Sequence, residues 1–150
     1  MKQTWTWLVG VLGSGIAWFF GGWTASLTTL VILQVVDYFA GTTAAGVFHK
    51  SKHTESGGLN SSVGWKGLCK KFVVLLFVGV ANRIDVEFGT TFIKDAVCLT
   101  FITNEAISLI ENAGLMGIKI PKIITKAIDV LNGEKTIDEL KKPENKTNEE

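Results

Sequence analysis

An apolar run from Ala25 to Phe48 carries an aspartate, Asp37, near its middle. A helix of ~20 apolar residues crosses the ~30 Å hydrocarbon core of a bilayer. A carboxylate at the centre of such a helix costs ~2.5–3.5 kcal/mol on insertion scales. That cost marks a charge facing a bundle interior or a wet cavity, so the run predicts a membrane helix with a use for polarity at depth.

The rest of the chain fits that frame. It has 150 residues, of which 47% are hydrophobic, and a net charge of +1. The apolar residues are concentrated in residues 1–131, and Asn132 to Glu150 is almost wholly polar. A soluble domain would alternate polar and apolar positions more often. Near-zero net charge argues against nucleic acid as a partner.

A first hydrophobic segment, Trp5 to Trp23, has Trp5, Trp7, Trp18 and Trp23 towards its two ends, where indole prefers the membrane interface. It has no convincing small-residue cleavage site and is expected to be a retained helix rather than a signal peptide. Gly21-Gly22 separates it from the second span. The stretch His49 to Lys71 carries Lys50, Lys52, Lys66, Lys70 and Lys71 against one acid, Glu55. Lysine-rich short loops stay in the cytoplasm, which places both termini inside.

A third span is built around Phe72 to Ala81, extended by Leu68 to Lys71 and by Asn82 to Asp85. A fourth runs from Phe92 to Ile110. Arg83, Asp85, Glu87, Lys94 and Asp95 then fall near the outer surface. The expected fold is an all-α integral membrane protein with four transmembrane helices, or three if one of the weaker segments lies in the interface. After Pro121, Lys122, Lys126 and Asp129 recur at helical spacing, with Ile123, Ile124, Ala127, Ile128 and Leu131 on the other side, which predicts an amphipathic helix on the inner leaflet. Residues 1–131 form one membrane domain, and 132–150 a disordered cytoplasmic tail with a short helix near Thr136 to Leu140.

Cys69 and Cys98 are too few for a disulfide framework and are expected to be free thiols. His49 and His53 are four apart, but a metal site needs more ligands, so no metal or other cofactor is expected. There is no nucleophile–base pair and no phosphate-binding glycine loop, so enzymatic activity is not expected.

Two patterns bear on function. Gly13, Ala17 and Gly21, and on the second span Gly41 and Ala45, recur every four residues as faces on which helix backbones can approach closely. On the fourth span Thr100, Asn104, Ser108 and Asn112 are each four apart, flanked by Thr103, Glu105 and Glu111. Hydrocarbon cannot satisfy these groups, so the stripe must meet other helices or water. Asp37 has no basic residue at its own depth in this topology and is expected to be protonated or hydrogen-bonded to a neighbouring helix. A single chain offers too little interior for both Asp37 and the stripe, and self-association would supply it.

Three motifs in order carry a resemblance: Asp37-Tyr38-Phe39-Ala40-Gly41, then Ser61-Ser62-Val63-Gly64-Trp65-Lys66-Gly67 with Lys70-Lys71, then Asn104-Glu105-Ala106-Ile107-Ser108-Leu109-Ile110-Glu111-Asn112. From about Thr28 to Leu131 the chain resembles the phage holins of the toxin-secretion/phage-lysis family. The resemblance implies a homo-oligomer in the host's cytoplasmic membrane that suddenly permeabilises it and releases an endolysin or a toxin, with no direct contact required. It singles out Asp37, Gly41, Ser61, Ser62, Gly64, Lys66, Gly67, Asn104, Glu105, Ser108, Glu111 and Asn112 as positions that matter. The alternatives are a non-lytic membrane scaffold and a small channel subunit.

Overall fold

A computed structural model describes residues 2–51, 53–54, 56–131 and 133. Among them are five helices and no strand: α1 (Lys2–Phe20), α2 (Ala25–Gly46), α3 (Ser61–Phe88), α4 (Ile93–Leu115) and α5 (Lys122–Leu131). The polar tail expected from Asn132 onward, with its short helix, lies outside the described residues apart from Gly133.

Local chemistry sets the helix ends. Gly21 at φ 66° closes α1, and the Gly22 N–H returns to the Ala17 carbonyl at 2.8 Å. This is the glycine-terminated hydrogen-bond pattern that ends many helices. The Thr24 hydroxyl accepts from the Leu27 N–H and starts α2. The Asn60 side chain accepts from the Ser62 and Val63 amides at 2.9 and 3.4 Å and starts α3. The sequence pattern places Ser61, Ser62, Gly64, Lys66 and Gly67 in the loop before the third span. They instead form the first two turns of α3, because the Asn60 cap lets the helix begin eleven residues before Phe72.

The first-turn amides of α4 find their acceptor on another helix. Asp85 Oδ1 takes the Ile93 N–H at 3.1 Å and Oδ2 takes the Lys94 N–H at 2.8 Å, while Thr90 donates to Oδ1 at 2.6 Å. A carboxylate is well placed there, since it meets both the orphan amides and the positive end of the helix dipole.

α2, α3 and α4 form the bundle, with α4 packed against both of the others, α1 on α3, and α5 on α4. Ser26 donates to Asp95 at one end and Asn112 donates to Asp37 further along, so α2 and α4 run parallel. α3 runs antiparallel to both, bringing Val78 to Leu30 and Lys71 to Gln34. The middle of the interior is apolar, with Leu27, Leu30, Val78 and Cys98 fully buried, and beyond it towards the α1–α2 turn Asn82, Asp85 and Lys94 are buried polar groups. The end nearer the 47–60 loop is polar, with Gln34, Asp37 and Asn112 buried.

α1 is held at its C-terminal turn. Phe19 sits against Gly79, where an added Cβ would lie 1.8 Å from the ring. The Asn82 amide donates to the Phe19 carbonyl at 3.0 Å and the Lys94 ammonium to the Phe20 carbonyl at 3.2 Å, which satisfies carbonyls the helix end leaves open. Arg83 stacks over the Trp18 ring at 4.2 Å. Of the expected packing faces, Gly21 lies against Asn82, and Gly41 and Ala45 face the α2–α4 contact. Gly13 and Ala17 are exposed, and among the described residues nothing beyond the adjoining residues and backbone of α1 lies within 4 Å of a Cβ placed on Gly13.

Among the described residues, α2 is the one helix long and apolar enough to cross a membrane by length and composition. At 1.5 Å per residue α1, α3 and α4 reach about 29, 42 and 35 Å, but their polar residues lower their hydropathy.

Candidate functional site

Asp37 lies one-half of the way along α2, on the face turned into the bundle, where it is 8% exposed. Lys71, from the third turn of α3, points its ammonium between two carboxylates. It donates to Asp37 Oδ2 at 2.9 Å and to Glu105 Oε2 on α4. The Asn112 amide donates to the other Asp37 oxygen at 3.0 Å. Gln34, one turn before Asp37, donates to the Lys71 backbone carbonyl at 3.2 Å and fixes the register of α3 against α2.

Three helices therefore each contribute one charged group to a single centre. This corrects the expectation that Asp37 has no basic residue at its own depth. The sequence places Lys71 where the lysine-rich loop meets the third span, and the N-terminal extension of α3 carries it inward. The other half of the expectation stands, since Asp37 is hydrogen-bonded to neighbouring helices.

The network is asymmetric, with one ammonium serving two carboxylates, so it holds one net negative charge. The Lys71, Asp37 and Glu105 side chains are 16%, 10% and 12% exposed. Two clefts reach it from the loop end. One, of about 140 Å³, runs past Gly41, Ala45, Gly64 and Asn112, and the other, of about 260 Å³, past Lys66, Lys70, Asn104 and Glu105. Both reach Asp37, Gly67, Lys71 and Ser108. Each has room for several waters and offers them polar partners.

Of the positions singled out from sequence, Asp37, Glu105, Ser108 and Asn112 thus converge, with Gly41, Ala45, Gly64, Lys66 and Gly67 on the cleft walls. Asn104 lines the mouth of the larger cleft and is itself exposed. Thr100 and Glu111 are not brought to this centre. Thr100 is exposed and bonds back to the Ala96 carbonyl at 2.9 Å, and Glu111 is exposed on the same helix. Ser61 and Ser62 are exposed in the first turn of α3. Sequence reasoning missed Lys71 and Gln34. A helix started at Asn60 puts Lys71 about three turns in, on the side of Gly64 and Gly67, and that was the available signal.

A family model described as the bacteriophage holin family matches residues 14–133. The chain belongs to the bacteriophage holin family. One named relative agrees with that placement, and the chain is similar to further proteins of bacteria. A probable holin of Bacillus phage phi105 is 32% identical over 109 residues, covering 72% of this chain and 75% of its own. An uncharacterised protein of Halalkalibacterium halodurans is 35% identical over 91% of this chain and 99% of its own. An uncharacterised 14.9 kDa protein of Clostridium perfringens is 31% identical over 86% of this chain and 93% of its own. No solved structure matches the chain. Holins are membrane proteins and are not a family of enzymes. The matched segment contains every member of the ion network, which is therefore part of the holin region of the chain.

Proposed function

We propose that this chain is a holin in the full sense. It gathers as a homo-oligomer in the bacterial cytoplasmic membrane, permeabilises it suddenly, and so releases an endolysin or a toxin and causes lysis. In this reading α1 to α4 span the bilayer, the lysine-bearing loop end faces the cytoplasm with both termini, and α5 lies on the inner leaflet.

The observation that carries the proposal is the Asp37–Lys71–Glu105 network inside a bundle whose outer surface is largely apolar, including Ile32, Val36, Phe72, Phe77 and Leu99. Two carboxylates and an ammonium are sheltered by only three helices. Shifting α4 away from α2 would present these groups to the new gap, giving a wet lining without any further residue. Charges at this depth also feel the membrane potential, at ~2.3 kcal/mol per unit charge for each 100 mV crossed.

The basis for self-association changes with the structure. Asp37 needs no second chain, because Lys71 and Asn112 shelter it. A second chain is called for instead by the exposed Asn104 and Thr100 face of α4, whose amide hydrocarbon cannot satisfy.

The test is induction of the chain in growing bacteria with a potential-sensitive dye. An abrupt loss of potential after membrane accumulation, with its timing shifted by Asp37→Leu, supports the proposal. Unchanged potential in cells whose membranes hold the protein rejects it.

A further inference from the structure

Beyond the network, the loop end of the α3–α4 seam carries charges that the pore reading does not use. Lys66 and Lys70 are one turn apart on α3, exposed, and both line the larger cleft. Like charges at this spacing destabilise a helix, and the two carboxylates of the cleft, Asp37 and Glu105, bond Lys71 rather than either of them. The cleft thus has three lysines against two acids and ends with one surplus positive charge at its mouth. Asn104 and Ser108 stand on the opposite wall and His53 closes the loop side.

The surface beneath is apolar. On the face of α3 that bears Lys66 and Lys70, Val73 and Phe77 follow at helical spacing, and both are exposed. The Phe77 ring meets Phe101 of α4 with centroids 6.4 Å apart, so the seam below the lysines is floored by two aromatic rings. Trp65, exposed beside Lys66, is the residue type that settles at headgroup depth.

We propose that the α3–α4 seam is a binding site for an anionic phospholipid. Its phosphodiester sits between Lys66 and Lys70, and its acyl chains lie along Val73, Phe77 and Phe101. Charge complementarity selects the occupant. The surplus positive charge lies at the mouth and the apolar strip runs from it towards the other end of the bundle, a pattern that a headgroup with attached chains matches and a free anion does not. Basic pockets between helices on the cytoplasmic side of membrane proteins hold anionic headgroups in this way. The proposal rests on the loop end facing the inner leaflet, as in the topology above, and does not require that the chain open a lesion.

The test uses the full chain in detergent micelles with equal amounts of phosphatidylglycerol and phosphatidylcholine, and native mass spectrometry to count retained lipids. The parent should retain phosphatidylglycerol preferentially. At about fivefold per lysine, Lys66→Gln with Lys70→Gln should weaken that retention roughly 30-fold. Lys66→Arg with Lys70→Arg should keep it. Lys50→Gln with Lys119→Gln removes the same charge from exposed positions off the seam and should leave it unchanged. Equal losses in the two glutamine pairs, or no preference for phosphatidylglycerol in the parent, would overturn the site. Displacement of the lipid by millimolar inorganic phosphate would show that a free anion is the occupant and would overturn it too. Retention of phosphatidylglycerol by a chain that depolarises no cell would uphold the lipid site and reject the pore. A depolarising chain with no lipid preference would do the reverse.

Discussion

Replacing Lys71 with methionine isolates the energetic role of the ion network. The substitution keeps the length of the side chain and removes its charge. It leaves Asp37 and Glu105, 10% and 12% exposed, facing each other without a counter-ion. Breaking a buried pair by deleting one partner costs ~3–5 kcal/mol. Here the two clefts admit water to both carboxylates, and Asn112 still bonds one of them, so the lower end applies, about 3 kcal/mol. For a chain of this size 1 kcal/mol moves Tm by about 2–4 °C, so Lys71→Met should melt about 6–12 °C below the parent.

The informative companion is a triple variant, Asp37→Asn, Lys71→Met and Glu105→Gln. It removes all three charges and keeps the shapes. Replacing a whole buried ion cluster by neutral groups is often neutral or stabilising, so the triple variant should melt within about 3 °C of the parent, a change of ~1 kcal/mol. The assay is thermal unfolding of the detergent-solubilised chain, followed by helical circular dichroism. Lys71→Met melting with the parent would refute the reasoning, as would a triple variant that melts as low as the single one.

Three further outcomes follow from the fold. Gly79→Val drives a side chain into Phe19, and overpacking of this kind costs ~1–3 kcal/mol. Proteolysis should then cut between α1 and α2 faster than in the parent, with α2–α4 left intact. Asn60→Ala removes the acceptor for two first-turn amides of α3 and should cost ~1 kcal/mol, read as a Tm about 2–4 °C lower, while Asn60→Asp should lose almost nothing. In micelles a maleimide should label one thiol per folded chain, at the exposed Cys69, and a second only on unfolding, since Cys98 is buried.

How much of this was legible in the sequence depended on range. The helix bearing Asp37 was readable because an apolar run is a local signal, and α2 begins at the expected Ala25. The amphipathic segment after Pro121 was readable for the same reason. The partner of Asp37 was not, because it lies 34 residues away and depends on where α3 begins, which a single Asn60 cap decides. The contact of Phe19 with Gly79 was likewise hidden, although a glycine inside a helix that costs ~1 kcal/mol of propensity is a hint of close approach.

The polar stripe was half right for a geometric reason. Residues four apart advance 40° beyond a full turn, so Thr100 and Asn112 differ by about 120° around α4. Asn112 therefore turns inward to Asp37 while Thr100 and Asn104 remain outside. The inference that one chain could not shelter Asp37 failed on this point. The two outward residues are what it leaves for contact between copies.

The central claim is that copies of this chain, each with its charges folded away, assemble and open a passage wide enough for protein. The most direct measurement is release of a folded fluorescent protein from sealed vesicles into which the purified chain has been inserted, with dye leak recorded alongside. Release that rises steeply with the amount of chain per vesicle, and falls when Asn104 is replaced by leucine, is the predicted result. Vesicles that carry the inserted chain and retain both dye and protein would contradict it.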